Sequence, residues 1–279
     1  MNRRVEQIVT GTATQDGAGV SLVRVLGHGT TEAFDPFLML DAFDSRDPRD
    51  YVKGFPWHPH RGIETVTYLI QGDIEHGDSL GNMGSILDGC CQWMTAGSGI
   101  LHQEMPKEAP RMLGLQLWLN LPAKDKMCDP AYHDIRDADV PVVTESGASV
   151  RVIAGSYKGT KGAAQGDYVR MRMLDADLKP GADFELETPE DETLFVYLVT
   201  GSGSFGADKR AIGEKHAVLF SKGDGVTITA GARGLRFILC QAKALNEPIA
   251  WGGPIVMNTR QELQQAFDEL DKGTFIKVK

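Results

Sequence analysis

Basic residues are too few and too scattered here for a nucleic-acid binder. Lys and Arg number 29 against 38 Asp and Glu, a formal charge of -9 with no basic run, so the footprint that a phosphate backbone demands is missing. Long apolar runs are absent too. No segment approaches a membrane span, and the opening MNRRVEQIVTG follows its basic pair with no apolar stretch of the kind that directs export. The cytosol is therefore the expected compartment. Cysteine is sparse, and Cys90, Cys91, Cys128 and Cys240 contain no C-x-x-C pair, which argues against a thiolate metal site and for reduced, packed thiols. Helical periodicity is nearly lacking as well. It is convincing only near the end, where Leu263, Phe267 and Leu270 form an i, i+4, i+7 stripe, Thr259 and Glu262 a capping box before it, and Gly273 a stop after it.

What the chain has instead is glycine, proline and short β-rich runs. With 32 Gly and 13 Pro, segments such as VSLVRVL, ETVTYLIQG, LGLQLWLNL, SVRVIAG, TLFVYLVTG, GVTITAG and LRFILCQA read as many short strands separated by turns. The expected class is all-β. Two stretches match each other: IETVTYLIQG (Ile63 to Gly72) and ETLFVYLVTG (Glu192 to Gly201) align without gaps on their final glycines, and WMTAGSG ending at Gly99 matches LFSKGDG ending at Gly225. Such self-similarity predicts two barrels of one design. The polar segment HDIRDADVPVV marks the boundary, giving an N-terminal barrel over 1–135 and a C-terminal barrel over 136–279 that ends in the helix. Whether that helix packs on the other half is left open.

The stretch GFPWHPHRGIET carries the chemistry. Side chains two apart in a strand share a face, so His58 and His60 turn inward together, with Pro59 stiffening the backbone between them. GSGILHQE sets His102 and Glu104 at the same spacing after a glycine-rich turn. Three neutral imidazoles and a carboxylate suit one divalent first-row metal, and four protein ligands on an octahedral ion leave positions open for water, substrate or dioxygen. On the gapless repeat, Glu187 and Pro189 fall opposite His58 and His60, and Ile228 and Ala230 opposite His102 and Glu104. The second copy is thus expected to lack the site. Confinement of the set to one copy argues for function over packing.

These residues resemble a known family. HPHRGIETVTYL, QWMTAGSGILHQE, DPFLMLDAF and GGPIVMNTRQELQQAFDELDKGTF look like the pirin family of the cupin superfamily, and the likeness covers nearly the whole chain. It implies two cupin barrels of the double-stranded β-helix, or jelly-roll, type in one chain. It also implies one metal in the N-terminal barrel, usually iron, at positions matching His58, His60, His102 and Glu104. The family activity it implies is that of a quercetin 2,3-dioxygenase, an oxidoreductase, and for animal members a role in transcriptional co-regulation. One departure stands out: the family reads Gly-Asp-Val where this chain has Gly89, Cys90 and Cys91, which questions the local turn and the redox sensitivity of that strand. General cupins use the glutamate after H-x-H as a ligand, whereas pirin-like chains use the one matching Glu104, so Glu64 is assigned to the surroundings of the metal or to the barrel wall.

On this reading a planar aromatic such as a flavonol coordinates the metal through its 3-hydroxyl, Glu104 accepts the proton as catalytic base, and dioxygen cleaves the ring with loss of carbon monoxide. Phe55, Trp57, Met94 and Trp118 could wall such a ligand, though each suits ordinary core packing better. A second class of function stays open beside the enzyme: a redox-sensitive, metal-bearing regulatory protein acting through a protein partner. The metal is open among Fe(II), Mn, Ni, Co and Zn. His28, His76, His133 and His216 lack an i+2 partner and are expected on the surface or around the site. GSGSFG after a strand has no helix behind it, so a hairpin turn is expected rather than a phosphate loop. Because a bicupin already pairs two barrels in one chain, a monomer is the expectation.

Overall fold

The computed structural model describes residues 1–278, in which antiparallel strands joined by turns and loops predominate and one α-helix, Arg260–Asp271, occurs. The chain divides into two units: Thr12–Gly29, Phe37–Asp137 and Leu245–Lys279 make one, and Met1–Gly11, Thr30–Pro36 and Ala138–Ala244 the other. We call them the N-terminal and C-terminal barrels. The single sequence boundary at 135/136 lies next to the break at Asp137/Ala138, but the two ends of the chain are exchanged. Val5–Thr10 pairs with His216–Phe220 as an edge strand of the C-terminal barrel, and the helix belongs with the N-terminal barrel. Strand partners far apart in sequence are chosen by backbone ladders, which leave no local signature.

In the N-terminal barrel a seven-stranded sheet runs in the order Ala131–Ile135, Cys91–Thr95, Ile63–Gln71, Met112–Asn120, Phe37–Ser45, Val20–Leu26, Thr12–Asp16. A four-stranded sheet runs Phe55–His60, Ile100–Pro106, Ile74–Asp78, Met83–Ile86. The central strand Met112–Asn120 is buried along its whole length, as its nearly unbroken apolar run requires. Thr67 and Gln116 of the larger sheet donate to Glu104 of the smaller one, so the inner faces meet there. In the C-terminal barrel two long strands, Thr193–Phe205 and Gly225–Ala242, carry the hydrogen bonding from one face to the other. GSGSFG leads into a hairpin, as expected: Ser202 to Phe205 pair with Gly213 to Arg210, and the turn begins at Gly206. The strand runs through it with a register shift between Gly201 and Gly203, and Gly201 has φ +85 with a would-be Cβ only 2.2 Å from the Gly234 carbonyl oxygen, so only glycine fits.

Strand pairing confirms that the two copies share one design. Val66, Thr67 and Tyr68 lie opposite Trp93, Gln92 and Cys91, and the matching Phe195, Val196 and Tyr197 lie opposite Leu219, Val218 and Ala217. The helix starts on the expected capping box, Thr259 accepting from the Glu262 amide and Glu262 from the Thr259 amide. Ala266 is buried, and Leu263, Phe267 and Leu270 pack against Ile255, Met257 and Phe275. None of the four cysteines is joined in a disulfide among the described residues. The Gly89–Cys90 turn is intact, with the Cys90 amide donating to Leu87 and the Gly89 amide to Leu69.

Candidate metal centre

Phe55–His60 is an edge strand of the smaller sheet, where Pro56 and Pro59 cost no ladder bond that the sheet needs. Its neighbour Ile100–Pro106 sets His102 opposite His58 and Ile100 opposite His60, so all three imidazoles share the inward face. The chain enters that neighbour through Gly99, at φ +136 with the Phe275 ring 3.0 Å from the position of a Cβ. The ring centroids of His58 lie 4.8 Å from those of His60 and 4.3 Å from those of His102, and His60 and His102 are 4.9 Å apart. One ligand atom from each lies within 4.8 Å of the others. Nitrogens bound to one ion at about 2.1 Å stand roughly 3 to 4 Å apart, so a small inward adjustment of the rings suffices.

Two of the rings are oriented by carbonyls. His58 Nδ1 is 2.9 Å from the Pro56 oxygen and His60 Nδ1 is 3.1 Å from the Pro254 oxygen. A carbonyl only accepts, so each Nδ1 carries the proton and each Nε2 keeps its lone pair for the cluster. His102 is 1% exposed, and neither of its ring nitrogens has a hydrogen-bond partner among the described residues. A buried imidazole left so is costly unless a ligand takes the lone pair. Burial, and behind it the neighbouring His58, pushes the His60 imidazolium down to about 3. His102 is held well below the ordinary range by burial first and by His60 and His58 next. Both rings are therefore neutral at physiological pH, as ligation requires.

Glu104 lies outside the three-imidazole group. A bulge between His102 and Glu104 places it opposite Phe55, and its carboxylate accepts from Thr67 Oγ1 at 3.0 Å and from Gln116 Nε2 at 3.0 and 2.8 Å. It is 3% exposed, and the side-chain donors that hold this buried carboxylate, Thr67 and Gln116, are neutral, so a cation would compensate it. Glu64 accepts from the Thr95 hydroxyl at 2.8 Å and is not in the cluster. His76 is buried, not on the surface: it stacks on Tyr132 and is hydrogen-bonded to that hydroxyl.

Beside the imidazoles opens a cavity of about 520 Å³ lined by Phe55, Met39, Trp118 and Trp251 among others. Phe55 and Trp118 are thus walls, whereas Trp57 is 54% exposed on the outer side and Met94 is sealed in the core. Trp251 had no signal in the sequence, since the C-terminal segment that carries it reaches this barrel only through tertiary structure. His28 stacks on it at 3.9 Å.

The C-terminal barrel lacks the cluster, but its equivalent positions differ from those of the gapless repeat. Ile228 lies opposite Phe184 and Val226 opposite Leu186, as His102 lies opposite His58 and Ile100 opposite His60. Phe184 and Leu186, not Glu187 and Pro189, therefore stand where His58 and His60 stand. The cause is a longer turn: two residues separate His60 from Ile63, while five separate Glu187 from Thr193.

Two jelly-roll barrels in one chain, one carrying inward imidazoles where the other carries apolar core, define a bicupin. Residues 19–119 match the model of the Pirin family, and 173–276 that of the Pirin C-terminal cupin domain. A pirin-like protein of Caulobacter vibrioides is 42% identical over 276 residues, covering 98% of this chain and 99% of the relative. Pirin of Homo sapiens is 36% identical over 271 residues, covering 95% and 91%. A solved structure of quercetin 2,3-dioxygenase from Acinetobacter baumannii superposes with a TM-score of 0.89 at 32% identity, covering 98% of each chain. The chain belongs to the pirin family.

Proposed function

We propose that His58, His60, His102 and Glu104 hold one divalent metal, iron(II) in the working protein, and that the chain is a dioxygenase cleaving a flavonol such as quercetin with release of carbon monoxide. The observation that carries this reading is His102, buried with two unpartnered nitrogens beside two rings whose Nε2 lone pairs converge with it. A neutral three-imidazole set with a carboxylate nearby is the donor chemistry of a first-row divalent ion. When bound, that ion lowers the pKa of a coordinated hydroxyl and brings dioxygen chemistry.

The chain's own residues supply the rest. Trp118, Trp251 and Met39 offer apolar faces to a planar ring and keep bulk water from it. Glu104 accepts the hydroxyl proton at its carboxylate, which Gln116 and Thr67 hold in position. The name of the Acinetobacter protein supports the choice of substrate. The test is incubation of iron-loaded protein with quercetin and oxygen, assayed for carbon monoxide. Release well above a metal-free control is expected. No release would favour a regulatory metalloprotein instead.

A further inference from the structure

A polar row crosses the inner face of the larger N-terminal sheet. Arg24, Asp41, Gln116, Thr67 and Gln92 stand directly opposite one another in successive strands. The same ladder positions in the C-terminal barrel hold Val152, Leu174, Leu239, Val196 and Val218, each 0% exposed. The architecture is therefore satisfied by an apolar row, and burying polar groups in its place is a cost that folding does not require. Gln116 and Thr67 hold Glu104. Arg24 and Asp41 bond to each other, and both line the cavity that contains His58 and His60. Arg24 donates from Nε to Asp41 Oδ1 at 2.9 Å and from Nη2 to Asp41 Oδ2 at 2.7 Å. Nη2 also reaches Asp16 Oδ2, at 2.7 Å, on the same cavity wall.

We propose that Asp41 and Arg24, with Asp16 beside them, form a specificity subsite that reads hydroxyl groups on the aromatic ligand; this rests on the reading that such a ligand occupies the cavity. Two carboxylates against one guanidinium leave one net negative charge. The bidentate pair uses one acceptor site on each Asp41 oxygen, and a carboxylate has about four, so ring hydroxyls donate into the remainder. A ligand lacking those hydroxyls desolvates the pair without replacing the lost water. One bearing a carboxylate there meets like charge. The indole N–H groups of Trp118 and Trp251 are taken by Gln116 Oε1 and the Gly253 carbonyl, so those side chains contribute ring faces and no polar recognition.

The test is tryptophan-fluorescence titration of the full-length, iron(II)-loaded protein without oxygen, using quercetin and 3-hydroxyflavone, which lacks every ring hydroxyl except the 3-hydroxyl. Quercetin is expected to bind at least about tenfold more tightly. The double variant R24V/D41L, which copies Val152 and Leu174, is expected to bring the two affinities within about threefold, chiefly by weakening quercetin. Asp41→Asn, which keeps the shape, is expected to shrink the preference and decides the matter if the double variant does not fold. Equal affinities in the wild type, or a preference that survives in the variants, would overturn the subsite alone. Failure of both compounds to bind would overturn the subsite together with the substrate reading beneath it.

Discussion

His60 donates from Nδ1 to the Pro254 carbonyl across 3.1 Å, which ties a residue of the candidate centre to the C-terminal segment. The same segment grips the next residue: Arg61, 2% exposed, donates to the Phe275 carbonyl, pairs with Glu269 at 2.8 Å and lies over the Phe275 ring. The C-terminal segment thus orients a ring that local sequence places only roughly.

Glu269→Ala should accordingly do more than loosen the helix. Removing the carboxylate leaves a buried guanidinium without its anionic partner, and a loss of about 2 kcal/mol is expected in denaturant unfolding. Metal affinity should fall about tenfold, since a residue that orients a ligand has been freed. Calorimetric metal titration on the folded variant checks this, and unchanged affinity would show that the segment does not orient His60.

His102→Ile copies the C-terminal barrel, where Ile228 occupies the equivalent place at 0% exposure. Two orphaned ring nitrogens give way to apolar contact, so the metal-free protein should gain about 1 kcal/mol or more. Metal binding should weaken by more than about a hundredfold. A variant both more stable and unable to bind metal would identify His102 as present for its chemistry. A destabilised variant would mean that the ring is a packing element.

Acid should unfold the metal-free protein early. His60 is held near 3 in the folded state and His102 well below its ordinary value, so between those values and about 6.5 the unfolded chain binds protons that the native rings refuse. Stability therefore rises with pH through that window and is lost as pH falls. From pH 6.5 to 5 the loss attributable to His60 is about 2 kcal/mol, and His102 adds to it with the same sign. Urea midpoints of the wild type and of His102→Ile across this range measure the effect, and the variant's curve should be the flatter.

Much of this arrangement is legible in the chain, because strand alternation is local. H-P-H and H-Q-E each put their two outer side chains on one face, and the turn at Gly97 to Gly99 announces itself in glycine. What is not legible is what depends on other strands. The three-residue difference in turn length that makes Phe184 and Leu186 the partners of His58 and His60 is invisible to a gapless comparison. The contributions of Pro254 and Trp251 depend on where a distant segment packs. The hold of Gln116 on Glu104 depends on two sheets facing each other, and no pattern within Met112–Asn120 shows it.

Glu104→Gln separates proton transfer from ligand orientation. The amide keeps the size of the carboxylate, so the fold should be unchanged by circular dichroism, but Gln116 and Thr67 then donate to a group that can no longer take a proton. If Glu104 accepts the substrate proton, carbon monoxide release from quercetin should fall by about a hundredfold or more. The loss should shrink as pH is raised, because a flavonol already ionised in solution needs no base. A rate that falls equally at every pH, together with loss of metal, would instead mark Glu104 as a ligand whose role is to retain the ion.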